Sequence, residues 1–464
     1  MSNKKKILLL SDDLRMSSGV GTMSKEFVVG TLHRYDWVQI GGAIKHPEAG
    51  KVVDMNDTVR KETGIQDANL KIYPIDGYGN SGILRQIMEI EKPDAILHYT
   101  DPRFWGWLYN MERELRTKIP LFYYTIWDDL PYPRWNEPFY ESCDLLMAIS
   151  KQSHNLVRNV CREEPKEDWQ ITYVPHGINE DVFYPVESLS PDYGEYKQFK
   201  EKFLQNADID FVVFYNNRNI RRKLPGDIVL AYKTFCDMLP EDKAKKCLLV
   251  MHTQPVDNNG TDLPSVVAEM CPDHKVLFSA GKVSPKEMNF LYNIADVTLN
   301  MASNEGFGLS GAESLMTGTP IVNNVTGGLQ DHCGFMLDGK RLIADDYSEI
   351  HSLHDRKKWK DNPDLTWGEW AKPIWPGCRS LQGSPMTPYI FDDRPRWEEA
   401  AEELFEWYND GPEKRKECGE LGREFCLDED VAFSSKNMCG RFIKDMDTAF
   451  EKWTPRKRFE IYRR

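Results

Sequence analysis

Short, unbroken apolar runs alternate with longer amphipathic stretches along the first half of the chain. Residues 6–11, 37–41, 94–99, 121–126, 145–149 and 171–174 have the length and composition of buried strands. Between them, 23–32, 83–91 and 152–160 carry apolar residues at helical spacing. Strands without polar alternation, separated by helices, predict a parallel sheet covered on both faces. Residues 186–207 turn polar, rich in Lys, Glu, Tyr and Ser, and read as a connection. The alternation then restarts, with strands at 211–215, 247–252, 275–279, 297–301 and 320–323 and a helix at 226–238. The pattern predicts two doubly wound α/β domains, residues 1–190 and 205–428, facing a central cleft. Ligands of open α/β sheets bind beyond the carboxyl ends of the strands, so the site is expected between the domains. Residues 333–393, with Trp359, Trp367, Trp370 and Trp375 and several prolines, show no clear period. They read as an insertion, expected on the acceptor side. Amphipathic helices return at 396–408 and 412–425. A long helix at 429–450 opens a C-terminal segment, 429–464, expected to cross back to the first domain.

Composition narrows the class. With 41% hydrophobic and 28% charged residues among 464, the chain is an ordinary globular protein of two or three domains. Its ten cysteines include no C-x-x-C pair, which fits reduced thiols in the cytoplasm better than a disulfide framework or a zinc site. The basic start, Met1 to Lys6, leads into only four apolar residues, Ile7 to Leu10, too few for a signal peptide or a membrane helix. A formal net charge of −14 argues against a protein that coats a polyanion over its whole surface. Local basic patches remain at Arg218 to Lys223 and in the tail (Lys452, Arg456, Lys457, Arg458, Arg463, Arg464).

The most informative segment is Asn304-Glu305-Gly306-Phe307-Gly308-Leu309-Ser310-Gly311-Ala312-Glu313, between a strand and a helix. Its glycines let the backbone approach a ligand closely. A helix start presents unsatisfied N–H groups and a positive dipole end to a phosphate. Two carboxylates beside that point suit hydrogen bonds from sugar hydroxyls. Diphosphate beside polyol describes a nucleotide sugar.

The spacing Glu305 to Glu313 resembles the E-x7-E signature of retaining glycosyltransferases of the GT-B fold, nearest to glycosyltransferase family four. Leu291 to Asp296 upstream, and Gly318-Thr319-Pro320 and Gly327-Gly328 downstream, extend the likeness. The resemblance implies that Glu313 bonds the nucleotide ribose and Glu305 the donor sugar. It also implies that backbone amides of Gly306, Phe307, Gly308 and Leu309 hold the sugar or the phosphates. Asn217-Arg218-Asn-Ile-Arg-Arg-Lys223 is similar to the family's "GR…K" element, with Asn217 in place of its usual Gly. Arg218 and Lys223 then stabilise the leaving diphosphate, whose negative charge grows as the glycosidic bond breaks. Arg221 and Arg222 are read as solvated or acceptor-facing. Gly19 and Gly21 resemble the family's first glycine loop near the donor phosphate. They do not form the dinucleotide pattern G-x-G-x-x-G, since residue 24 is Ser.

Pro93 to Asp101 is similar to the strand whose end lines the sugar pocket, which makes His98 a candidate to bond a sugar hydroxyl or position the acceptor. The family's usual His-Asp pair after the next strand is here Trp127-Asp128, which weakens transfer of a catalytic base to that loop. His176 stands where Asn is common. Asp12-Asp13 reads as turn-capping. No metal is expected and no cofactor beyond the donor, a nucleotide diphosphate sugar and foremost a UDP-sugar. The expected reaction is retaining transfer to an acceptor hydroxyl. Three acceptors stay open: a saccharide, a lipid, or a hydroxymethylated base such as hydroxymethylcytosine in bacteriophage DNA. A GT-B phosphorylase or epimerase, or a non-catalytic nucleotide-sugar binder, is the alternative of another class.

Overall fold

The structure, a computed structural model, describes residues 4–43, 45–161, 165–205, 207–349 and 359–457. Of the basic tail, Arg458, Arg463 and Arg464 lie outside the described residues, as do residues 350–358 of the aperiodic stretch. The contacts divide the chain into two compact units. The first is Met1–Trp127, Tyr132–Gly177 and Ser434–Arg464; the second is Asp128–Pro131 and Ile178–Phe433.

The first unit is built on eight strands: β1 (Lys5–Asp12), β2 (Tyr35–Gly42), β3 (Val53–Asp54), β4 (Leu70–Pro74), β5 (Ala95–Tyr99), β6 (Leu121–Thr125), β7 (Leu145–Ala148) and β8 (Ile171–Tyr173). Their order is β3-β4-β2-β1-β5-β6-β7-β8, parallel except for the β3–β4 pair. Ile7 to Leu10 of β1 and every residue of β5, β6 and β7 are buried, as a sheet packed on both faces requires. Helices start where short polar caps allow. Ser18 accepts from the Gly21 amide at the start of Gly19–Gly30, Asn80 caps Ser81–Glu91, and Ser150 caps Lys151–Val160. The helix Ser435–Lys452 packs on the same unit, with Phe442 stacked on Phe27 at 4.7 Å and against Tyr124 at 4.8 Å.

The second unit has a six-stranded sheet. Strands β9 (Phe211–Asn216), β10 (Cys247–His252), β11 (Val276–Phe278), β12 (Val297–Asn300) and β13 (Ile321–Asn324) are joined by Ala371–Ile374 at the edge, in the order β11-β10-β9-β12-β13 and then that edge strand, all parallel. The aperiodic stretch thus contributes a strand to this sheet, pairing Ile321 with Ala371. It also forms an antiparallel hairpin, Pro376–Ser384 with Thr387–Pro395. Residues 186–207, read as a connection, contain the helix Tyr193–Phe203. Tyr196 and Phe199 of that helix pack on Phe290, and the amides of Tyr184 and Val186 donate to the side chains of Asn289 and Asn293. The polar exterior of this helix hides one apolar stripe, which carries it into the second unit.

Candidate active site

Two loops at the carboxyl ends of β9 and β12 meet in the second unit. After β9, Asn219 is fully buried and its amide donates to the carbonyls of Gln254, Pro255 and Thr261, at 3.2, 3.2 and 2.7 Å. This fixes the turn Arg221–Lys223 that follows. After β12, the chain runs through Ser303, Asn304 and Glu305 to Gly308, whose φ of 93° lets the helix Leu309–Met316 begin at once. The Ser303 amide donates to the Arg222 carbonyl at 2.7 Å, and Arg222 Nη1 donates to the Asn304 carbonyl at 2.7 Å.

The result is a charged cluster. Lys223, almost fully buried, forms a close ion pair with Glu305, and Arg222 Nη1 lies 3.6 Å from the same carboxylate. Burial, then the neighbouring Arg222 guanidinium, push the Lys223 ammonium well below its ordinary range, and Asp128 opposes them. The Glu305 pair acts in the same sense as Asp128. Arg222, read as solvated or acceptor-facing, keeps 42% of its side chain exposed yet reaches the Glu305 carboxylate. Nothing in the sequence distinguishes it from Arg221, which remains mostly exposed 3.4 Å from Asp392.

Beside this cluster, Asn216, Asn217, Arg218, His252 and Lys282 help to line a hollow of about 370 Å³ at the ends of β9, β10 and β11. Arg218 is 62% exposed and paired with Asp257 at 3.1 Å. Asn217 Nδ2 lies 3.5 Å from Ser310 Oγ, in the first turn of the helix Leu309–Met316. Asn216 Nδ2 donates to the Tyr292 hydroxyl at 2.8 Å, which donates in turn to Glu313 Oε2 at 2.7 Å. Burial pushes the Glu313 carboxyl up to about 7, and the Tyr292 hydrogen bond works against the rise. Thus Lys223, Glu305, the helix start and Glu313 are gathered in one unit, with Arg218 in the adjoining hollow. Tyr292, absent from the sequence candidates, holds Glu313.

Other candidates fall elsewhere. His98 is fully buried on β5, bonded to the Tyr109 hydroxyl at 2.7 Å and packed against Trp105 and Tyr123. Burial lowers its pKa to about 3, so the ring is neutral where it packs. His176 is likewise buried, bonded to Tyr124. Gly19 is exposed at its helix start in the first unit, while a Cβ on Gly21 would stand 2.5 Å from the Met16 carbonyl, so that glycine serves its own loop. Asp13 caps the same loop, accepting from the Arg15 amide at 2.9 Å. The Phe307 ring is buried between His332 and Phe433, which leaves only its backbone for a ligand. Gly306 and Leu309 are half-buried beside Glu305. Among the described residues no group of three His, Cys, Asp or Glu could hold a metal, and no helix is long and apolar enough to cross a membrane.

No protein-family model matches the chain. Over 235 residues it is 25% identical to the alpha-monoglucosyldiacylglycerol synthase of Acholeplasma laidlawii, a match covering 50% of this chain and 52% of that protein. The chain thus spans about half the length of that relative. Among solved structures, HepE of Anabaena in complex with UDP and glucose aligns with a TM-score of 0.61 at 13% identity, over 96% of this chain and 100% of that one. A glycosyltransferase from Rickettsia africae aligns at 0.61 and 15%, over 97% and 100%. Sucrose-phosphate synthase from Thermosynechococcus elongatus aligns at 0.65 and 14%, also over 97% and 100%. The chain has the α/β fold with parallel sheets of GT-B glycosyltransferases.

Glu313 offers a direct pH test. If its carboxylate accepts hydrogen bonds from the donor, donor affinity falls as pH drops through about 7 and the group is protonated. Tyr292→Phe removes a bond to the ionised form, so the carboxyl rises further and the fall moves upward by about one pH unit. Calorimetric titration of donor on both sides of neutrality reads the midpoint. An unmoved midpoint contradicts the role of Tyr292.

Proposed function

We propose that the protein is a retaining glycosyltransferase that moves a sugar from a nucleoside diphosphate donor, foremost a UDP-sugar, onto an acceptor hydroxyl. The observation that carries this reading is the gathering of Lys223, Arg222 and Glu305 at the start of the helix whose next carboxylate, Glu313, is held by Tyr292. The diphosphate lies against the helix N–H groups, Arg222 and Lys223, with Arg218 reaching from the hollow. Glu305 accepts hydrogen bonds from the sugar and Glu313 from the ribose. As the bond from the anomeric carbon to the diphosphate oxygen breaks, its electron pair passes to that oxygen, and these cations stabilise the growing charge. The acceptor oxygen bonds the anomeric carbon from the same face and gives its proton to the leaving phosphate.

Similarity to a glucolipid synthase and to structures holding UDP supports this chemistry. The DNA acceptor gains less support. Arg221 stands by Asp392, Arg222 is turned to Asn304 and Glu305, and Arg456 of the tail pairs with Glu112.

The test is a thermal-shift screen of UDP-, GDP- and ADP-sugars, followed by proton NMR of donor turnover. A UDP-sugar is expected to raise the melting temperature selectively, because a ligand bound only to the folded state stabilises it by mass action. The sugar released or transferred should keep its anomeric configuration. No shift with any nucleotide sugar would defeat the proposal, and binding without turnover would leave a binder in place of an enzyme.

A further inference from the structure

In the first unit, the segments that follow β4 and β5 bring two aromatic rings face to face. Phe104 and Tyr78 stack at 4.8 Å with an interplanar angle of 9°, and Phe104 keeps 50% of its surface exposed. The pair is fixed from beneath. Trp105 is fully buried against Tyr78, and Trp107 Nε1 donates to the Tyr78 carbonyl at 3.1 Å. Phe104 sits in the turn Pro102–Trp105, capped by Asp101, whose Oδ1 accepts from the Arg103 amide at 3.0 Å. A ring supported this firmly adds little to the core by standing half in water.

Its surroundings are polar in one sense. Asp12, at the end of β1, and Asp101 are near enough to add to the effect of burial in raising the pKa of the Tyr78 hydroxyl. The cation at hand, Arg103, is paired with Asp101 and lies 5.4 Å over the Trp127 ring. The pair stands at the carboxyl ends of β1, β4 and β5, the edge where open α/β sheets bind ligands.

We infer that Tyr78 and Phe104 form a stacking platform for a pyranose acceptor, whose hydroxyls donate to the carboxylates of Asp12 and Asp101. The inference rests on the glycosyltransferase reading and names the acceptor class it leaves open. A flat aromatic face suits the apolar face of a sugar ring, and carboxylates accept from hydroxyls. With Arg103 already paired to Asp101, the patch presents no net positive charge to a phosphate backbone or an anionic bilayer.

Saturation-transfer NMR tests it, with methyl glucosides, galactosides and mannosides as probes and UDP present, on the parent chain, Phe104→Ala and Phe104→Trp. At least one glycoside is expected to bind the parent, to weaken about tenfold in Phe104→Ala, and to recover in Phe104→Trp. UDP affinity should be the same in all three. Equal glycoside binding in the parent and Phe104→Ala, or none in the parent, overturns the platform. So does a loss in Phe104→Ala that affects a hydroxymethylcytosine oligonucleotide or anionic vesicles and spares the glycosides. Failure of the parent to bind UDP, with glycoside binding still dependent on Phe104, would strike the transferase reading and leave the sugar platform standing.

Discussion

Lys223→Ala is expected to lower turnover by about 10²–10³-fold and to cost about 3–5 kcal/mol of stability at the same time. The two losses have separate causes. Turnover falls because a fixed cation no longer meets the charge that grows on the leaving diphosphate. Stability falls because Glu305, with only 12% of its side chain exposed, is left without its principal partner. The double variant Lys223→Ala/Glu305→Gln separates them, since a neutral amide does not strand a charge. Urea unfolding of the double variant should recover most of the stability, while steady-state rates at saturating donor stay low. Turnover within a few-fold of the parent in Lys223→Ala would remove this side chain from the chemistry.

The second large effect comes from a residue without a side chain. Gly327 has a φ of 49°, and a Cβ there would stand 2.1 Å from the Glu305 carbonyl oxygen. Gly327→Ala therefore combines left-handed strain with a backbone clash, together about 2–4 kcal/mol. The chain relieves the clash by moving the Glu305 loop, and a displacement of about 1 Å at a reacting centre costs on the order of 10²-fold in rate. Gly50→Ala is the matched control: its φ is 81° and nothing lies within 4 Å of the added carbon. It should show the strain in thermal melts and leave turnover alone. Equal kinetic loss in both variants would mean that Gly327 does not support the Glu305 loop.

How far the sequence reaches depends on what each residue faces. Strands β9 and β10 are readable because they are buried on both sides and run apolar for five residues each. Strand β4, near the edge of its sheet, alternates buried and half-buried residues over five positions and gives no such run. The edge strand Ala371–Ile374 is too short to announce itself among the surrounding tryptophans. In the site, Glu305, Glu313 and Lys223 are visible through their spacing, because the loop after a strand fixes local offsets. Arg222 and Tyr292 become apparent only through distances between segments remote in the chain. The surroundings of His98 are hidden from the sequence for a related reason. It sits near the end of a strand that resembles a pocket wall, yet successive side chains point to opposite faces, and its own face is the one packed by Tyr109, Trp105 and Tyr123.

The helix Ser435–Lys452 bears on how the protein is made. Its Phe442 covers Phe27 and Tyr124, Phe450 meets Phe122, and Gly177 lies so close to Ser435 that a Cβ would approach its Cα to 2.6 Å. During synthesis the whole stretch Ile178–Phe433 leaves the ribosome before this helix does. The nascent N-terminal sheet therefore waits with an aromatic face bare to water while the second unit is already able to fold. In this chain the order of translation and the order of completion run in opposite directions, and the interval between them is when chaperone capture would matter most.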